Sequence, residues 1–405
     1  MPALSGNGLA MRLGLFLEAL TRLGPTDLVV VPIAGPSECA PALPARLGVA
    51  TQILAMDGRW DTQFALINRL ADAQQRLAGF RAFGRPSLAA GVSASVLAEL
   101  KRLVGRRTYE LVHIGRSYLS AAALAVGNDV TMTLDLDEDE VTSYRQLAAQ
   151  LGQQGRSDEA AWMEAEAEGF TRLLETTLSR FHRLFISSAT DKDRIALRDP
   201  ALRLDVVENA VAMRPSPARR DDGRTIVFVG SFGYQPNVAG CLWFATKVWP
   251  QVRAASPAVR LRLVGRDPPA TIRDLAQHDG IKVVGPVEDI ADTYEEATLA
   301  IAPLDAGTGT RIKVLEAAAF EVPVVATSLA VSGLRLNAPE ALWMADDPYD
   351  FAAAVLTALA SPAERHRRAL RARRIVEAHY DRARVVGDLA SRFRDVLASA
   401  GDQRR

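Results

Sequence analysis

Lysine and cysteine are what this sequence has least of. It contains five lysines, Lys101, Lys192, Lys247, Lys282 and Lys313, so nearly all of its 48 basic residues are arginine. Together with abundant alanine, this suggests a GC-rich bacterial gene. The two cysteines, Cys39 and Cys241, stand far apart. That excludes a disulfide framework or a cysteine metal site and fits a reducing cytoplasm. A surplus charge is lacking too: 48 acidic residues balance the basic ones, so no global field recruits nucleic acid or a membrane. No apolar run approaches the roughly 18 residues needed to span a bilayer. The N-terminal "LGLFLEAL" is interrupted by Glu18 and has no cationic lead or cleavage site, so it does not read as a signal peptide. The expected location is the cytoplasm. Peripheral contact with the inner membrane face stays open through Arg365 to Arg374, a run that otherwise reads as a solvated helix face.

What is present is a soluble globular composition, 48% apolar and 24% charged, over 405 residues. That length is too great for one ordinary core and predicts two domains. In the second half "TIVFVG", "VRLRLVG", "IKVVG", "TLAIAP", "VPVVA" and "LWMA" are short apolar runs bounded by Gly, Pro or Asp, with helical patterns between them. Strands apolar on both faces, alternating with helices, predict a parallel sheet in a doubly wound α/β domain. The first half follows the same plan more loosely, through "DLVVVPI", "TQILAM", "ELVHIG", "DVTMTLDL" and "RLFISS". A long helical stretch runs from Glu138 to His182, with a break near Gly152 to Gly155. Prolines and charges in Ala212 to Arg224 mark a linker. The expected domains are therefore 1–213 and 214–380, with a helix over 381–405 that packs back on the first. No strand precedes "SGNGLAMRLGLFLEALTRLG", which looks like a glycine loop and first helix. Such a strand would be worth on the order of 10 kcal/mol in buried side chains. Either the start lies upstream or the domain fills the gap in another way.

The chemistry concentrates in "GTGTRIKVLE", at the carboxyl end of a strand, where open α/β sheets bind ligands. Gly307 and Gly309 let backbone approach a ligand closely. Thr308 or Thr310 can cap the next helix, whose first turn offers free N–H groups and about half a positive charge. With Arg311 and Lys313 added, the site suits a diphosphate. Glu316, less than two turns on, can accept hydrogen bonds from a diol such as a ribose. The plainer alternative is a helix whose Lys313 and Glu316 pair in solvent.

These motifs, continued through "TIVFVGSFGYQPNVAGCLWFATKVWPQV", "LRLVGRDPP", "VVGPVEDI" and "DDPYDFAAAV", resemble the donor domain of family 4 glycosyltransferases, from about 226 to 360. A weaker likeness reaches the first half through "GNGLAMR", "DLDEDEVTSY" and "VVENAV". The resemblance implies a GT-B fold, two Rossmann-like doubly wound domains facing across a cleft. It also implies transfer from a nucleoside-diphosphate sugar with retention at the anomeric carbon. It implies that Glu316 holds the ribose and that Arg311 and Lys313 stabilise the leaving group. Backbone at Val287 would meet the base, with further donor contacts at Gly265 and Leu315. No cofactor beyond the donor, and no metal, is expected. Two departures stand out. The position eight before Glu316, commonly Glu in the family, is Thr308, and the usual basic pair after the first strand is replaced by "GSFGYQPN". Ser231, Tyr234 and Asn237 offer neutral polar contacts there.

On the acceptor side stand Gly8, Arg12, His113 and Arg116. For Arg12 a solvated helix position, and for His113 a satisfied polar residue, are equal alternatives. Asp135 and Asp137 form a D-x-D spacing that suits a metal, but carboxylates also favour the helix N-terminus that follows. The partners implied are a nucleotide sugar and an acceptor glycan, lipid-linked sugar or small molecule. A sugar-nucleotide 2-epimerase or a non-catalytic nucleotide-sugar-binding subunit would share the fold.

Overall fold

The computed structural model describes residues 1–4, 8–33, 42–54, 60–214, 219–304 and 312–403. The chain divides into two compact units: Met1–Leu4, Leu9–Glu208 and Val386–Arg405 form one, and Ser5–Gly8 with Asn209–Val385 the other.

The first unit opens on a helix, Gly8–Thr21; no strand precedes it among the described residues. Its strands are β1 (Asp27–Val30), β2 (Ala50–Ile53), β3 (Leu111–Gly115), β4 (Thr131–Asp137), β5 (Arg183–Ile186) and β6 (Leu204–Val206). All ladders are parallel, but they form two sheets, a β1–β2 pair and a four-stranded β3-β4-β5-β6. Ring side chains cover part of the larger sheet. Phe16 stacks on His113 with centroids 4.4 Å apart, and Phe185 and Phe393 close the cluster. The long helical stretch breaks into Glu140–Gln153 and Ser157–Thr177. Gly155 between them takes φ +77°, a left-handed conformation that glycine adopts without steric cost.

The second unit holds one six-stranded parallel sheet. Its strands are β7 (Thr225–Val229), β8 (Arg260–Val264), β9 (Ile281–Gly285), β10 (Leu299–Ala302), β11 (Val324–Ala326) and β12 (Trp343–Met344). Their order is β12-β11-β10-β7-β8-β9. Ile226, Phe228, Leu261, Leu263, Leu299, Ile301 and Val325 are buried in its core. This burial is why the strands read as continuous apolar runs. Helical backbone runs from Gln235 to Ala255 with a π-helical turn at Phe244–Val248. Pro250, which has no N–H to donate, lies just beyond that turn.

The arginine-rich helix Pro362–His379 is not simply a solvated face. Arg365 donates to the carbonyls of Ala358 and Leu359, and Arg368 to Leu342 while lying over the Trp343 ring. Arg373 donates to the carbonyls of Ala319 and Arg214. These guanidiniums donate to carbonyls at helix and loop ends, where intrahelical partners run out. No helix among the described residues is long and apolar enough to cross a membrane.

Candidate functional site

From β7 the second sheet grows through β8 to β9, then crosses back to place β10 on the other side of β7. The crevice between the carboxyl ends of β7 and β10 is therefore the topological switch point, where open α/β sheets bind ligands. Helix Gln235–Trp243 follows β7, and helix Ile312–Ala319 follows the loop after β10. Asn237 comes from the first and Lys313 from the second. Lys313 Nζ donates to Asn237 Oδ1 at 2.6 Å and stands 4.1 Å from the centroid of the Phe228 ring on β7. Asn237 Nδ2 in turn donates to the Ser231 carbonyl at 2.7 Å. The turn leaves no spare room. A methyl on Gly230 would lie 2.8 Å from Asn237 Nδ2 and 3.2 Å from Lys313 Nζ. One on Gly265 would meet the Gly230 carbonyl oxygen at 1.8 Å. Glycine at 265, against backbone, is a packing requirement, and a side chain at 230 would displace Asn237 or Lys313.

Glu316 stands three positions after Lys313 and is half-buried. The hydroxyl of Tyr294, from helix Ile290–Glu296, lies 3.4 Å from Glu316 Oε2 and 3.3 Å from the Lys313 carbonyl. Burial pushes the Glu316 carboxyl up to about 7, with Tyr294 and Lys313 working against the rise. Glu316 is thus a carboxylate at the edge of ionisation beside a cation, which a solvent-paired surface glutamate is not. Arg373 braces the far end of the same helix by donating to Ala319, its last residue, at 2.6 Å. Positive charge there complements the helix dipole.

Of the other donor-side positions, Leu315 is fully buried, so any ligand contact at it falls to the backbone. Val287 is exposed in the loop after β9. Gly307, Thr308, Gly309, Thr310 and Arg311 lie outside the described residues. Tyr294 and Phe228 went unread in the sequence. Each reaches the site from a separate element, and only the fold brings them together.

In the first unit Arg12 and His113 are engaged with neighbouring side chains. Arg12 is fully buried, with its Nε and Nη2 on the two Asp135 oxygens at 2.7 and 2.6 Å and its Nη1 on the Val207 carbonyl. The Nδ1 of His113 meets the Thr133 hydroxyl at 2.9 Å, and burial together with the Arg12 charge lowers its pKa to about 3. Its ring stacks on Phe16, and its Nε2, shielded from solvent, makes no hydrogen bond. Arg116, at φ +99°, pairs with Asp137, Glu138 and Glu140. The Asp135 and Asp137 carboxylates are therefore committed to arginines. Among the described residues no group of three His, Cys, Asp or Glu could hold a metal ion. Gly8 is the first residue of its helix and is counted with the second unit.

Comparisons with known proteins bear on the same segment. Residues 223–361 match the family model described as "Glycosyl transferases group 1". An uncharacterized 44.6 kDa protein in the cps region of Klebsiella pneumoniae is 25% identical over 172 residues. That match spans 40% of this chain and 44% of the other protein. Among solved structures, the chain is similar to sucrose-phosphate synthase from Thermosynechococcus elongatus. The TM-score is 0.68 at 16% identity, covering 97% of this chain and 94% of that one. It is also similar to HepE of Anabaena, solved with UDP and glucose, at TM-score 0.65 and 11% identity over 97% of each chain. The fold is thus that of the GT-B glycosyltransferases, and residues 223–361 within it match glycosyl transferases group 1.

Proposed function

We propose that the protein transfers a sugar from a nucleoside-diphosphate sugar to an acceptor hydroxyl, as a retaining enzyme of family 4. The observation that carries this reading is Lys313 and Glu316 at the β7/β10 switch point, within the segment matching glycosyl transferases group 1. The bond from the anomeric carbon to the diphosphate oxygen breaks as the acceptor oxygen bonds to that carbon and gives up its proton to the departing diphosphate. Negative charge grows on the departing diphosphate, and a fixed cation aimed there stabilises the transition state more than the ground state. Lys313, the helix N-terminus and Arg311 supply that charge. Glu316 accepts from the ribose hydroxyls, and no divalent metal is required. The first unit presents the acceptor, a glycan, lipid-linked sugar or small molecule, in the cytoplasm or at the inner membrane face.

Incubation with UDP-, GDP- and dTDP-sugars, followed by thermal melting, identifies the donor, since a fitting one stabilises by mass action. Product analysis with and without EDTA then tests the metal. Loss of transfer on chelation, restored by Mn²⁺ or Mg²⁺, would overturn metal independence. Thr308, standing where family 4 enzymes commonly have glutamate, favours a second reading, a nucleotide-sugar binder without transferase activity. Slow hydrolysis of the identified donor distinguishes the enzyme from the binder.

A further inference from the structure

We infer that Asn237 is a positioning residue: its neutral amide fixes where the Lys313 ammonium stands without adding a charge of its own. This deepens the diphosphate reading and rests on it for the ligand, though not for the geometry. The orientation of the amide is set by chemistry. Lysine only donates and a carbonyl only accepts, so Oδ1 must face Lys313 Nζ at 2.6 Å and Nδ2 the Ser231 carbonyl at 2.7 Å. Asn237 is buried, 6% exposed, with its backbone N–H on the Tyr234 carbonyl at 2.9 Å. It cannot follow a wandering lysine.

The ammonium is therefore held from β7 and the helix after it, by an amide on one side and the Phe228 ring on another. Its own helix lies across the switch point. A free lysine side chain has many rotamers, and ordering it when a ligand arrives costs affinity. Here that ordering is done beforehand. Aspartate, the nearest isostere, would keep an oxygen against the ammonium. It would also put a negative charge 2.6 Å from Lys313 and a second oxygen against the Ser231 carbonyl. The position would survive and the site would carry one positive charge fewer. Gly230, whose missing side chain makes room for both groups, is part of the same arrangement.

With only five lysines in the chain, side-chain ammonium NMR resolves Lys313 directly, assigned by its disappearance in Lys313→Arg. In the ligand-free protein Asn237→Ala should move that signal toward the position of exposed lysines, and Asn237→Asp should leave it hydrogen-bonded. Calorimetry with inorganic pyrophosphate reads the consequence, with Lys313→Ala as the control for site occupancy. Asn237→Ala should bind about tenfold more weakly, and Asn237→Asp about tenfold more weakly or worse despite its held ammonium. An unmoved signal in Asn237→Ala, or undiminished pyrophosphate binding by Asn237→Asp, would overturn the assignment. If the ammonium signals behave as expected but the parent protein does not bind pyrophosphate, the positioning stands and the diphosphate reading falls.

Discussion

Glu316→Gln separates a carboxylate kept for a ligand from one kept for the fold. In the free protein Glu316 faces the Tyr294 hydroxyl and the Lys313 charge, yet burial still lifts its carboxyl from 4.5 to about 7. The folded protein therefore holds this proton more tightly than the unfolded chain. Stability falls as the pH rises from about 4.5 to about 7, and the deficit persists above that. The full shift would correspond to about 3 kcal/mol. Glu316 is only half-buried, so solvent screening reduces this to about 1–2 kcal/mol. Glutamine keeps the shape and never ionises. At pH 8 the variant should therefore be the more stable protein, melting roughly 2–6 °C higher, and at pH 5 the two should melt together.

Binding should move the opposite way. A nucleoside-diphosphate sugar has no phosphate that titrates near pH 7, so the pH dependence of its affinity reports the protein. Affinity for the parent should fall as the pH drops below 7, approaching about tenfold per pH unit, because the ribose acceptor becomes protonated. The variant should be weaker at pH 8 and flat with pH. Differential melting and calorimetry at pH 5 and 8 give both curves. A melting difference equal at both pH values would mean that Glu316 is not held near its ionisation point, and the account of the site's electrostatics would fail.

Lys313→Ala should lower transfer about 10²-fold by removing a charge-assisted contact to the leaving group, with little change in melting; normal turnover with a verified donor would make the lysine an ordinary helix charge. A 2′-deoxyribose donor should bind the parent about 10- to 150-fold more weakly. That penalty should overlap with Glu316→Gln, since both remove one interaction; additive penalties in a calorimetric cycle would mean Glu316 does not touch the ribose. In the first unit, Arg12→Ala should cost about 3–5 kcal/mol by leaving Asp135 buried without its partner. Asp135→Asn in the same chain should restore part of it, as denaturant melts will show.

Legibility in the sequence followed how local each determinant was. All six strands of the second unit were readable because each is a short, mostly apolar run bounded by Gly, Pro or Asp, and β7 and β10 at the centre are buried almost throughout. β6 was not, being three residues of which one is Asp205. The break at Gly155 was visible because glycine is cheap where φ must be positive. Lys313 and Glu316 were legible from a single helix turn. Tyr294 was not, since nothing in a strand-to-helix pattern says which face of a neighbouring helix meets Glu316. For Arg12 and His113 the sequence left alternatives open for a related reason. The partner that buries Arg12 lies 123 residues away, and the ring that stacks on His113 comes from a different element. The solvated-face reading of Arg365 to Arg374 missed that carbonyls at helix ends need donors, a demand visible only when those ends are packed nearby.

The two units use charge in opposite ways at the carboxyl ends of their strands. At the carboxyl ends of β3 and β4, Arg12 and Arg116 are surrounded by Asp135, Asp137, Glu138 and Glu140. Burial there pushes Glu140 up to about 8. Guanidiniums paired this way are spent on the fold, and removing one leaves a stranded charge. At the carboxyl ends of β7 and β10 a lysine is held instead by an amide and a ring. Neither of these two groups brings a formal negative charge, so neither subtracts from the field of the ammonium it touches. A site that must meet an anion gains from that arrangement, and a fold that must only stay closed does not. Position within the α/β sheet makes both places eligible for ligands. The partners chosen for the cations separate them.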